Sequence, residues 1–184
     1  NLMNNKLTIG LIVLCVIIGL YFINLSGQKS YSSSSTNLTS IKKEDIQKIL
    51  IQNKGEALEL VRIDTVWNIS GHDSLIIKEQ PLNNLFDKVL NLQLQTVMTK
   101  KEEKWDTFNV GDSTGTHLAL IDSKDQTVAY FVFGRSNSDF SRCYVRESGK
   151  STVYLANDNV IFNIQTRPNF WGEKPKEDIP MPTE

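Results

Sequence analysis

Three kinds of hydrophobic patterning follow one another along the chain. Residues 7–28 carry no charged side chain, and "LTIGLIVLCVIIGLYFI" (residues 7–23) is almost wholly apolar, with Lys6 before it and Asn24 after it. A helix rises ~1.5 Å per residue and the hydrocarbon layer of a bilayer is ~30 Å thick, so this stretch with its uncharged flanks is expected to span a membrane. From residue 46 the pattern changes to short β-like runs. "IQKILIQN" (46–53) and "ALELVRI" (57–63) flank Lys54-Gly55-Glu56, a hairpin signal in which Gly55 takes positive φ. "VWNIS" (66–70) alternates Trp67 and Ile69 against polar neighbours, and "SLIIK" (74–78) is a further brief run. The period then becomes helical. Pro81 suits a first turn, and Leu82, Leu85, Phe86, Val89 and Leu90 fall on one apolar stripe.

The second half repeats this rhythm. Residues 94–99 return as a strand, and "KKEEKWDTF" (100–108) reads as a short surface helix that turns Trp105 and Phe108 inward. "THLALID" (116–122) and "TVAYFVF" (127–133) surround the turn Ser123-Lys124-Asp125-Gln126, while "SRCYVRE" and "STVYLA" flank Ser148-Gly149-Lys150. A short helix is expected to open near Asn157 or Asp158 as its cap, to bury Val160, Ile161 and Ile164, and to stop before Pro168. Each half thus reads as several antiparallel strands closed by one helix, a sign of internal duplication. The implied fold is α+β, with helices packed on antiparallel sheet.

This patterning divides the 184 residues into a cytoplasmic N-terminus (1–6), a transmembrane helix (7–25), a Ser/Thr-rich tether (26–40), an extracytoplasmic α+β domain (41–172) and a Pro-rich tail (173–184). A cleaved signal peptide fits less well, because no pair of small residues follows the apolar run. Cys15 is not in a lipoprotein box, since Leu14 occupies the place that needs a small residue. A short N-terminus before a signal anchor usually stays cytoplasmic, which places the remainder outside a bacterial inner membrane. Twenty Lys and Arg nearly cancel 21 Asp and Glu, the net charge is -1, and the cations are scattered, so nucleic acid is not an expected partner. Cys15 lies in the membrane segment and Cys143 is the one cysteine of the domain, which excludes a disulfide within it. Asn24, Asn37 and Asn68 open formal glycosylation sequons that matter only in a eukaryotic host.

Candidate chemistry changes the picture little. Gly111-Asp112-Ser113-Thr114-Gly115 satisfies the letter of G-x-S-x-G, but a nucleophile elbow needs a strand, a strained turn and a helix, with an acid and a histidine later in the chain. Here strand-like sequence follows Ser113 at once, and His117 is the only later histidine; His72 lies upstream beside Asp73. The stretch reads better as a polar turn in which Gly111 and Gly115 supply backbone freedom. Two histidines and one soluble cysteine make no zinc pattern, "DSKDQ" (122–126) lacks calcium-loop spacing, and adjacent Glu102 and Glu103 diverge on a helix. No nucleotide fingerprint appears. No catalytic residue, metal or cofactor is expected.

The order "LELVRIDTVWNIS", the helix "LNNLFDKVLNL", "FNV", "THLALIDSKDQTVAYFVFG", "CYVRESGKSTVYLA" and "NFW" resembles the bacterial family catalogued as domain of unknown function 4340. The similarity runs from about Ile46 to Trp171 and departs in Asn109-Val110, where the family commonly has Gly-Leu. The resemblance implies a domain tethered outside the cytoplasmic membrane, akin to auxiliary components of gliding-type ABC transporter systems, and it implies no catalytic residues.

Two functions follow as expectations. The first is a non-catalytic accessory or scaffold subunit of a larger bacterial membrane complex. It would contact other integral membrane proteins through Leu11, Leu14, Ile18, Tyr21 and Phe22, contact lipid through residues 7–25, and dock through Phe170 and Trp171. The bland reading of Phe170 and Trp171 is that they close the domain's own core. The second is a module binding a lipid or glycan handled by an ABC-type transporter, with Tyr130, Phe131, Phe133 and Tyr144 lining an apolar groove. These four are more often plain core.

Overall fold

The computed structural model describes residues 35–175, so the expectations for residues 1–34 and for the end of the Pro-rich tail lie outside the described residues. The chain builds β1 (Thr36–Asn37), β2 (Lys48–Asn53), β3 (Glu56–Ile63), β4 (Val66–Ile69), β5 (Ile76–Ile77), α1 (Glu79–Leu90), β6 (Gln93–Thr99), β7 (Thr116–Ile121), β8 (Thr127–Arg135), β9 (Cys143–Glu147), β10 (Val153–Ala156), α2 (Pro168–Trp171) and β11 (Gly172–Glu173). Nine strands form one antiparallel sheet in the order β1-β6-β10-β9-β8-β7-β2-β3-β4, and β5 pairs with β11 in a small second sheet. The domain is therefore mostly antiparallel sheet with few helices. Since β1 pairs with β6, the sheet takes in the end of the Ser/Thr-rich segment.

Alternation of side chains across each strand decides what the two faces of the sheet bury. Ile49 and Ile51 of β2, Leu58 and Leu60 of β3, and Trp67 and Ile69 of β4 face one way. Leu118 and Leu120, Phe131 and Phe133, and Cys143 and Val145 continue that face across β7, β8 and β9. The apolar stripe of α1, namely Leu82, Leu85, Phe86 and Val89, closes over it, with the rings of Phe86 and Trp67 5.6 Å apart. Trp171 completes this core, and its indole Nε1 donates to the Gln165 carbonyl at 2.7 Å. On the opposite face, Val110, Val132, Tyr144 and Val153 form a smaller core under Trp105 and Phe108.

The hairpins form where the glycine signals place them. β2 and β3 are joined by Lys54 and Gly55 alone, both at positive φ (49° and 83°), the two-residue turn whose twist matches the strands it connects. Gly149 takes φ 78° between β9 and β10. Three local expectations need correction. Residues 100–108 form two 3-10 turns, Glu102–Lys104 and Asp106–Phe108, not one helix, because Asn109 turns left-handed (φ 54°) and ends the run. Trp105 and Phe108 still point inward. The segment after β10 makes only a 3-10 turn, Ile161–Asn163, and neither Asn157 nor Asp158 caps it. Asn157 Oδ1 accepts from the Gln93 backbone and Asp158 pairs with Lys88, while Asn159 Oδ1 accepts from Ile161 N–H. Pro168, expected as a stop, opens α2, where its fixed φ suits a first helical residue.

Gly111 and Gly115 also differ from expectation in cause. Neither has positive φ; each is instead closely approached by a neighbouring side chain. A Cβ on Gly111 would lie 2.1 Å from Asp106 Oδ1, and one on Gly115 would lie 2.3 Å from Val132 Cγ1. Among the described residues no helix is long and apolar enough to cross a membrane.

Candidate functional site

The antiparallel order brings the end of β2, the start of β3, the start of β7 and the end of β8 to one rim of the sheet. The segment after β10 folds back over that rim. Between them lies a cleft of about 310 Å³ at the β2–β3 turn and residues 161–167, adjoined by a second of about 300 Å³ toward Asn109 and Asn137. Asn53, Lys54, Thr116, Arg135 and Ile161 line both, so the two are lobes of one depression.

Each wall has a local cause. The two-residue turn holds Lys54 at the tip of the hairpin. The Asn53 amide donates to Thr116 Oγ1, which fixes the floor between the neighbouring strands β2 and β7. Arg135 ends β8 directly after Gly134, where a Cβ would sit 2.0 Å from the Phe108 carbonyl oxygen and 2.7 Å from that of Asn109. The 108–110 backbone therefore rests on β8, and the Asn109 amide donates to the Arg135 carbonyl at 3.2 Å. On the far wall Thr166 donates its hydroxyl to Glu56 Oε2 at 2.8 Å, joining residues 110 apart in sequence.

The charge of this cleft is uneven. Lys54, Arg135 and Arg167 line it against one carboxylate, Glu56. None of the three cations makes an ion pair among the described residues. The Arg135 guanidinium lies 5.9 Å from the Phe162 ring centre, and Phe162 is 60% exposed. Among the described residues Phe140, at 71%, is the most exposed large apolar side chain, and its carbonyl is held by the Asn159 amide at 2.8 Å. A cationic depression with the Phe162 ring beside one of its guanidinium groups can hold an anion.

The residues that drew attention in the sequence go elsewhere. Ser113 is exposed, and His117 is committed: its Nε2 faces the Asp112 carbonyl at 2.9 Å, which can only accept, so Nδ1 accepts the Tyr130 hydroxyl at 2.8 Å. Arg146, 3% exposed, donates from Nε to the Val110 carbonyl at 2.6 Å and from Nη2 to Asp112 Oδ1 at 2.5 Å. Its guanidinium lies 3.7 Å from the Trp105 ring centre, and Trp105 Nε1 donates to the Ser151 carbonyl. This set clamps the 105–115 segment to the back of the sheet. Burial pushes the Cys143 thiol up to about 12, which makes it a core residue.

Phe131 and Phe133 are packed under α1 and Tyr144 lies in the smaller core, while Phe133 also reaches the second lobe of the cleft. Trp171, read from the sequence either as a docking anchor or as closing the domain's own core, is fully buried because α2 turns it into the main core. Phe170 is half-buried against it, ring centres 4.9 Å apart. Leu11, Leu14, Ile18, Tyr21 and Phe22 lie outside the described residues.

The three cations of the cleft escaped the sequence reading because positions 54, 135 and 167 share no local motif. Their only common mark is that each adjoins a chain reversal or an element end: the Lys-Gly turn, the end of β8, and the residue before Pro168.

Sheet, single packed helix and rim cleft together define a sheet-rich α+β domain with a charged surface depression. The chain belongs to the family described as Domain of unknown function (DUF4340), whose model matches residues 67–175, from the tryptophan of β4 to just past β11. No curated protein and no solved structure matches it.

Proposed function

We propose that the chain is a non-catalytic, single-pass accessory subunit of a larger bacterial membrane complex, with its sheet domain outside the cytoplasmic membrane. The observation that carries this reading is the charge-free run of residues 7–28, long enough to span a bilayer and joined through a Ser/Thr-rich segment to a folded domain. The interior side chains best suited to chemistry, His117, Arg146 and Cys143, are engaged in holding the fold together, which supports a role in assembly. The meanders β2-β3-β4 and β7-β8-β9-β10 meet through their first strands, an arrangement in keeping with two strand-rich halves. Gentle solubilisation of native membranes with a C-terminal tag tests the proposal. Co-purification with other integral membrane proteins in fixed stoichiometry is the expected result, and a lone monomer would overturn it.

A second reading, an extracytoplasmic module that binds a lipid or glycan alongside an ABC-type transporter, is favoured by the rim cleft. Its polar lining suits a headgroup or a sugar, not a hydrocarbon chain.

A further inference from the structure

We infer that the rim cleft is a binding site for the phosphate ester of a small polyol. The inference deepens the ligand-binding reading and rests on it; the accessory-subunit reading stands or falls on co-purification alone.

Charge selects phosphate. Lys54, Arg135 and Arg167 against Glu56 leave an excess of two positive charges in the cleft. A phosphate monoester carries about −1.5 to −2 at neutral pH and balances that excess, while the single charge of a phosphodiester headgroup balances half of it. The guanidinium groups of Arg135 and Arg167 offer paired N–H donors suited to phosphate oxygens, and Lys54 adds a mobile point charge from the hairpin tip. Since none of the three is spent on an ion pair among the described residues, an anion gains them without displacing a carboxylate.

The uncharged lining selects what the phosphate is attached to. Asn53, Gln165 and Thr166 are half-buried groups that can exchange hydrogen bonds with hydroxyls, while Ile161 and Ile164 give an apolar floor for carbon. A lobe of about 310 Å³ has ample room for a ligand the size of glycerol phosphate. The same chemistry reaches a tethered domain from two sources, a free polyol phosphate or the headgroup of phosphatidylglycerol.

The test is titration calorimetry of the full chain in a non-ionic detergent. The ligands are sn-glycerol 3-phosphate, inorganic phosphate, glycerol, the neutral disaccharide chitobiose, and mixed micelles doped with phosphatidylglycerol or phosphatidylcholine. The expected result is saturable binding of glycerol phosphate, tighter than inorganic phosphate and with no heat from glycerol. Binding should weaken about tenfold in Arg135→Gln and again in Lys54→Gln, be largely kept in Arg135→Lys, and be unchanged in Lys124→Gln, on the far turn. Binding to phosphatidylglycerol micelles alone, lost in the same variants, assigns the ligand to the lipid source. Chitobiose binding without phosphate binding overturns the inference and leaves the ligand reading standing, and no binding of any ligand ends both. Phosphate binding that all three charge-removing variants (Lys54→Gln, Arg135→Gln, Arg167→Gln) leave untouched also overturns it.

Discussion

Replacing Arg146 by Met tests what holds the 105–115 segment against the back of the sheet. The substitution keeps an unbranched apolar stem and removes the guanidinium, which is 3% exposed and serves Val110, Asp112 and Trp105 at once. Its bond to the Val110 carbonyl lies in the smaller core, and leaving that buried acceptor unpaired costs about 1–3 kcal/mol. Stacking on Trp105 in a desolvated place adds about 1–2 kcal/mol. The pair with Asp112 adds little, ~0–1 kcal/mol, because that carboxylate is 84% exposed and screened by solvent. The expected total is about 2–6 kcal/mol, read by urea unfolding followed by tryptophan fluorescence, while Asp112→Asn, which keeps the accepting Oδ1, should cost under ~1 kcal/mol. A cycle of Arg146→Met with Trp105→Leu should return a coupling of about 1–2 kcal/mol. The reasoning is refuted if Asp112→Asn costs as much as Arg146→Met, for then the exposed ion pair and not the buried carbonyl carries the clamp.

Three further outcomes follow from the packing. Gly134→Ala should cost at least about 3 kcal/mol in the same unfolding assay, since its Cβ would meet the Phe108 and Asn109 backbone and not a flexible side chain; it should also weaken any ligand held by Arg135. Trp171→Ala should cost about 3–5 kcal/mol, whereas a tryptophan reserved for a partner would leave the isolated chain's stability unchanged. Cys143 should resist thiol reagents in the native state and react only on unfolding. Its pKa is raised by burial from an ordinary 9.0 to about 12, so its contribution to stability is complete below pH ~9. That contribution is lost as pH rises toward 12, because there the native state holds a proton that the unfolded chain releases; Cys143→Ala should flatten the alkaline limb of a stability–pH curve.

What the sequence made legible was local. Lys54-Gly55 and Gly149 mark their hairpins because a tight turn must place a residue at positive φ, a requirement visible in the residues themselves. The stripe of α1 was legible for the same reason: its period belongs to the helix alone. The 3-10 turns at 102–108 were not, because what ends them is the left-handed Asn109 seated over Gly134, a contact between distant residues. Gly111 and Gly115 drew notice as flexible points, yet neither takes positive φ, and the side chains of Asp106 and Val132 approach them closely. The cleft was least legible of all. Lys54, Arg135 and Arg167 become neighbours only after β2 pairs with β7 and the chain beyond β10 returns across the rim.

That same β2–β7 pairing sets a timetable for folding. The β2-β3-β4 meander needs only short turns, but β2 acquires its second neighbour from a strand made much later; Asn53 and Thr116 are 63 residues apart. Closing so long a loop must precede the reward of the contact, which slows the search and places this domain among slow-folding topologies. Until β7 arrives, the edge of β2 offers unpaired backbone groups between Ile49 and Ile51, an invitation to pairing with another chain. A nascent chain is thus most vulnerable to aggregation in the interval between completing β4 and delivering β7.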